Sequence, residues 1–122
     1  MILFVNACVR KDSRTRGLAD CLLSELVGQV EEISLEEFSF PVVDEAFLNK
    51  RDRLIATGDY TDSMFDLAKQ FALADCIVVA APYWDLSFPA SLKQYIELIN
   101  VLGITFTYSP EGIPQGLCRA KK

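Results

Sequence analysis

A chain of 122 residues holds one domain at most, yet it is long enough to bury a real core. Its residues are 51% hydrophobic and 24% charged, an ordinary globular balance, and a formal net charge of −5 argues against general binding to nucleic acid or to an anionic membrane. No apolar run nears the roughly 20 residues of a membrane span, and the lack of any histidine removes Ser-His and Cys-His nucleophilic catalysis.

The first residues, Met1 to Val5, carry neither a basic leader nor a small-residue cleavage site. They read as a strand rather than a signal peptide, so a cytoplasmic protein is expected. Ile2 to Ala7 is an apolar run of strand length, and a polar loop, Cys8 to Thr15, follows it. Leu18, Leu22, Leu23 and Leu26 then recur at helical spacing, with Val27 and Val30 extending the face. Ser13 or Thr15 can cap that helix with a hydroxyl oxygen. Val30 to Leu35 predicts a weaker, alternating strand, and Phe38 to Val43, with Pro41, predicts a loop.

Glu45 to Ala56 predicts a short helix interrupted at Gly58. Thr61 or Asp62 can cap the next helix, whose face is Phe65, Ala68, Ala72 and Leu73. Cys76 to Ala81 shows no alternation, and a strand apolar on both sides is expected mid-sheet, covered by helices on both faces. Pro89 suits the first turn of a last helix reaching about Leu102, with Leu92, Tyr95, Ile96 and Ile99 on one face and Gly103 as its stop. The order β-α-β-α-α-β-α implies an α/β domain over residues 1–122 with a doubly wound parallel sheet between helical layers, a three-layer αβα arrangement.

In such a sheet ligands bind beyond the carboxyl ends of the strands, where strand order reverses. Two segments are expected to meet there. In the first, Arg10, Lys11, Arg14 and Arg16 place four of the chain's 12 basic residues just before and on a helix N-terminus. Free N–H groups and the helix dipole favour an anion at that end, and Ser13 and Thr15 add hydroxyls. A phosphate is the natural guest; the alternative is a solvated basic loop with an ordinary cap. Neither GxxxxGK[ST] nor GxGxxG is present, so a terminal monophosphate fits better than a bridging pyrophosphate, which points to FMN rather than FAD or NAD.

The second segment runs from Ala81 to Pro89. There Pro82, Tyr83, Trp84, Asp85 and Leu86 can wall a flat ring and offer backbone groups to its polar edge. Alternatively, Trp84 and Phe88 pack under a loop or at a dimer contact. The four cysteines, Cys8, Cys21, Cys76 and Cys118, form no CxxC pair and read as reduced structural thiols rather than metal ligands. No catalytic side chain and no metal site are expected; a cofactor carries any chemistry.

Three stretches resemble the flavodoxin-like NAD(P)H:quinone oxidoreductases, and most of all the FMN-dependent NADH-azoreductases. Ser13-Arg14-Thr15 followed by Leu18-Ala19 is similar to that family's phosphate loop. The segment from Ala81 to Tyr95 resembles its A-P-M-Y-N-F-x-I-P-x-x-L-K-x-Y stretch. Gly103 to Tyr108, continuing through Gly112 to Gly116-Leu117, resembles its G-x-T-F-x-Y…G-P-x-G-L. The stretch least like the family is Phe38 to Tyr60.

The resemblance implies a flavodoxin-like fold in which Ser13, Arg14 and Thr15, with Arg10 nearby, hold the FMN phosphate. Pro82 to Leu86 then line the isoalloxazine. Asp85 stands where the family has asparagine, and a carboxylate cannot donate to the ring, so Asp85 is expected to disfavour an anionic reduced flavin. The implied activity is transfer of a hydride from NAD(P)H through FMN to a quinone or azo acceptor, in a homodimer that covers Trp84, Phe88 and Phe106.

Family members continue beyond the Gly-Leu pair, so this chain is expected to hold about three of the fold's five strands, with Cys76–Ala81 left as an open edge. The expectation is therefore a fragment, or an edge that another chain covers. Two other functional readings stand beside the enzyme: a flavodoxin-like electron carrier or flavin-binding module without turnover, and a truncated, cofactor-free domain.

Overall fold

The structure is a computed structural model and describes residues 1–121. Its elements run β1 (Ile2–Asn6), α1 (Arg14–Glu25), β2 (Val30–Ser34), α2 (Glu45–Thr57), a single 3-10 turn at Ser63–Phe65, α3 (Asp66–Leu73), β3 (Cys76–Ala80), α4 (Ala90–Ile99), β4 (Phe106–Tyr108) and β5 (Pro114–Gly116). The three longer strands form one parallel sheet in the order β2-β1-β3. Ile2 lies opposite Val30 on one side and Cys76 on the other, and the register continues to Asn6 opposite Ser34 and Ala80.

Parallel neighbours need a crossover, and here the crossovers are helical. Side chains along β1 alternate between two cores. Ile2 and Phe4 pack with Val78, Ala80 and Ala19 under α1, whereas Leu3 and Val5 pack with Leu92, Tyr95 and Ile99 under α4, joined by Phe71 of α3. The result is a three-layer αβα arrangement, as expected. A third cluster, centred on Phe65, Ala68 and Val101 with Leu54 and Ile55, docks α2 on this frame.

Local chemistry sets the helix ends. Ser13 caps α1, its Oγ accepting from the Arg16 amide at 3.2 Å. Asp44 caps α2, which stops at Gly58 in the left-handed conformation, φ 70°. Asp62, not Thr61, caps the 3-10 turn that leads into α3.

Four expectations need correction. The sheet-facing stripe of α1 is Ala19, Leu23 and Leu26, while Leu18 and Leu22 face solvent. On the flank of α1 that meets β2, the Arg16 guanidinium bonds Glu32. Leu73 likewise faces solvent, while Phe65 and Ala68 are fully buried and Phe71 packs against the core.

Helix α4 ends at Ile99, three residues before Leu102, because Thr105 turns back on its terminus. Thr105 Oγ1 donates to the Ile99 carbonyl at 2.7 Å and accepts from the Val101 amide at 3.1 Å. Gly103, at φ 87°, belongs to the following turn. The sequence after it forms an antiparallel hairpin, β4 with β5, where no strand was expected. Among the described strands β3 pairs with β1 alone, so it is the open edge expected when only about three of the fold's strands are present, and Val79 is 49% exposed.

Candidate functional site

Strand β1 lies between its two partners, so the chain leaves β1 for α1 on one face and leaves β3 for α4 on the other. The gap between these departures is the reversal point where such sheets take ligands. The two strands stay joined up to that gap, since the Ala7 amide donates to the Ala80 carbonyl at 2.8 Å. Beyond it, the Cys8–Ser13 loop and the Ala81–Pro89 segment face each other. A cavity of about 370 Å³ opens there, lined by Val9, Arg10, Asp12, Ser13, Arg14, Thr15 and Pro82.

Five of the nine expected ligand-binding residues therefore share one cavity: Arg10, Ser13, Arg14, Thr15 and Pro82. Arg14 and Thr15 of the first turn of α1 line it, and the first turn of any helix leaves its amides without intrahelical partners. Ser13 Oγ is committed to the Arg16 amide. Among the described residues Arg10, Lys11 and Arg14 make no ion pair. Arg16, the fourth cation of the loop, is engaged instead. Its Nε bonds Asp20 at 2.9 Å, its Nη1 bonds Glu32 at 2.7 Å, and its guanidinium lies 5.1 Å from the centre of the Phe4 ring. Asp20 first, and then Glu32, hold the Arg16 guanidinium above its ordinary range.

Tyr83, Trp84, Asp85 and Leu86 do not line that cavity. They form an exposed turn beside it, closed by mutual hydrogen bonds of 2.8 Å between the backbones of Trp84 and Ser87. Both central residues have positive φ, 49° at Asp85 and 64° at Leu86, the pattern of a type I′ turn usually built from Asn and Gly. Leu86 is 86% exposed, so its side chain does not explain the strained backbone. The turn is an open platform, not an enclosed ring pocket.

A larger cavity, about 460 Å³, lies on the β2 side of the loop. Glu32, Glu36 and Glu37 contribute to its lining beside Arg10 and Lys11, which makes it a poorer anion site than its neighbour. Sequence reasoning passed over Asn6 and Glu32, which brace the loop from this side. Asn6 is 7% exposed, and its side-chain oxygen accepts from the Cys8 amide at 2.9 Å. Its signal was visible as the one polar residue inside the apolar run of β1.

The model of the flavodoxin-like fold family matches residues 1–122. The chain belongs to that family. It is 37% identical over 128 aligned positions to FMN-dependent NADH:quinone oxidoreductase 2 of Clostridium perfringens, covering 99% of this chain and 64% of that protein. A shorter match, 62% identical over 55 positions, is to the protein of the same name in Clostridium acetobutylicum, covering 45% of this chain and 27% of the relative. Among solved structures, azoreductase from Bacillus anthracis superposes with a TM-score of 0.79 at 29% identity, over 95% of this chain and 62% of that one. The chain thus spans somewhat under two thirds of these proteins' length. No described helix is long and apolar enough to cross a membrane.

Proposed function

We propose that residues 1–122 form the FMN-binding part of an FMN-dependent NAD(P)H oxidoreductase acting on quinone- or azo-type acceptors. The observation that carries this reading is the cavity at the β1/β3 reversal point, where unpaired cations and a helix N-terminus face Pro82. Its donors suit a phosphate group. Arg10, Ser13, Arg14 and Thr15 would hold that phosphate, and the Pro82–Leu86 platform would lie against the isoalloxazine. The names of the Clostridium and Bacillus relatives support the same chemistry. Bound FMN would supply the redox step, taking a hydride from NAD(P)H and delivering electrons to the acceptor. The chain's own residues would bind, orient and tune it.

The exposure of Trp84 at 40% and Phe88 at 41% supports a homodimer in which a partner covers the platform. The same openness favours, as a second reading, an electron carrier that exchanges electrons at an exposed ring. We place the protein in the cytoplasm, with no nucleic-acid or membrane partner. The test is FMN titration followed by anaerobic mixing with NADH. A yellow complex whose visible band bleaches supports the oxidoreductase. A yellow complex that NADH leaves unchanged supports the carrier, and a chain that takes up no FMN supports the cofactor-free domain.

A further inference from the structure

We propose that Glu32, a β2 residue outside the loop, is the positioning residue that holds the phosphate-binding loop in its binding shape. The inference rests on the reading of the Arg10–Thr15 loop as a phosphate site. Residues 8–16 are restrained at both ends, and both restraints lead to this carboxylate. At the start of the loop, Asn6 Oδ1 accepts from the Cys8 amide at 2.9 Å, while Asn6 Nδ2 donates to Glu32 Oε1 at 3.0 Å. At its end, Arg16 grips Glu32 through two bonds, Nη1 to Oε1 at 2.7 Å and Nη2 to Oε2 at 3.2 Å. The Arg16 amide, in turn, is the group capped by Ser13 Oγ.

Each bond has a reason to be strong or exact in direction. The Arg16–Glu32 pair is a two-pronged guanidinium–carboxylate contact, which fixes orientation as well as distance. A buried amide with both ends engaged cannot flip without leaving a polar group unpaired. Removing Glu32 strips Asn6 Nδ2 of its acceptor and leaves Arg16 held by Asp20 of its own helix and by the Phe4 ring of β1. The loop then loses its connection to β2 at both ends.

The sign of the effect separates this role from simple electrostatics. Glu32 is a negative charge near an anion site, so acting only through its field it would weaken phosphate binding, and its removal would tighten it. A positioning role predicts the opposite. Glu32→Ala is expected to weaken FMN binding at least about tenfold, the scale of losing hydrogen bonds to a charged group. Riboflavin, which lacks the phosphate, should bind the variant as it binds the native chain. Glu32→Gln keeps an acceptor oxygen for Asn6 and should recover part of the loss.

Fluorescence titration of the full chain with FMN and with riboflavin reads these values, and amide hydrogen exchange of the ligand-free chain reads the loop itself. Faster exchange at Cys8 and Arg16 in Glu32→Ala, with FMN affinity lost and riboflavin affinity kept, supports the proposal. FMN affinity unchanged or raised overturns it, as does an equal loss for both ligands. If the native chain binds no FMN, the flavin reading fails, and exchange alone decides the Glu32 role: unchanged rates at both amides reject it. Should Glu32→Ala not fold, Arg16→Lys breaks the two-pronged contact while keeping the charge. It should weaken FMN binding selectively, and unchanged affinity there also rejects the proposal.

Discussion

Two residues carry costs that their surroundings do not offset. Tyr95 of α4 points into the core, 1% exposed, and among the described residues its hydroxyl has no hydrogen-bond partner. Burial alone pushes its ionisation well above the ordinary tyrosine range. Tyr95→Phe removes the orphan oxygen and keeps the ring against Phe71, so urea unfolding should show stability unchanged or raised by about 1 kcal/mol. A loss of that size would mean the hydroxyl has a partner after all. The helical spacing made Tyr95 legible as a core residue; the orphaned hydroxyl depends on what α3 and the sheet bring near it, which no spacing encodes. Asp85 presents a different cost, a left-handed backbone that asparagine tolerates well and a carboxylate that cannot donate to a ring edge. On the proposed function, Asp85→Asn should raise the flavin redox potential; an unchanged or lowered potential would remove Asp85 from any tuning role.

Helices and strands were legible where one local rule decided them. Ser13 or Thr15 announced α1, and Ser13 is the cap; Gly58 closed α2, and the unbroken apolar run of Cys76–Ala81 marked β3, which ends at Ala80. Elements set by distant partners were not. Leu18 and Leu22 match a helical stripe as well as Leu23 and Leu26 do, and the choice between them is made by how the helix sits on the sheet, with Ala19 against β1 and β3 and Arg16 bonded to Glu32 of β2. The β4–β5 hairpin has three-residue strands containing Pro114 and Gly116, too short for alternation to register. The end of α4 is a third case, since its cap comes from Thr105, six residues past the last helical position. Thr105 is buried, and Thr105→Val keeps its shape while removing the hydroxyl's bonds to the Ile99 carbonyl and the Val101 amide. Equilibrium unfolding should show a loss of about 1–2 kcal/mol. No loss would assign the early helix end to the Gly103 turn instead.

At the scale of the whole molecule, a site at the reversal point and an open edge at Cys76–Ala81 were both expected from the sequence, while the side chains that flank that edge emerge only from the assembled sheet. The base of that strand is pinned by charge: Asp75 takes the Met1 amino group at 2.6 Å and Arg119 at 2.7 Å. The amino-terminal hydrogen bond first, then the charge of Arg119, holds the Asp75 carboxyl below its ordinary value. A depressed carboxyl contributes stability that is fully present above its unfolded pKa, near 3.9, and is lost as pH falls through the folded value. Asp75→Asn should therefore flatten the decline in melting temperature below about pH 4, and an unaltered acid limb would show the pair contributes nothing. Above this anchor, the free side of β3 offers unpaired backbone groups along five residues. Val79 is exposed on one face of that edge, and on the other face Leu18 and Leu22 lie on the flank of α1 opposite the Arg16–Asp20 side that meets β2. An exposed, apolar, unblunted edge is a template for pairing with another chain. The chain should accordingly show a mass that rises with concentration in sedimentation velocity. Val79→Lys places a charge on the edge without touching the β1–β3 ladder, so it should suppress that rise while leaving far-UV circular dichroism unchanged. Association that persists in Val79→Lys but disappears in Leu18→Glu would move the contact to the α1 flank; association unaffected by either would place it away from β3 altogether.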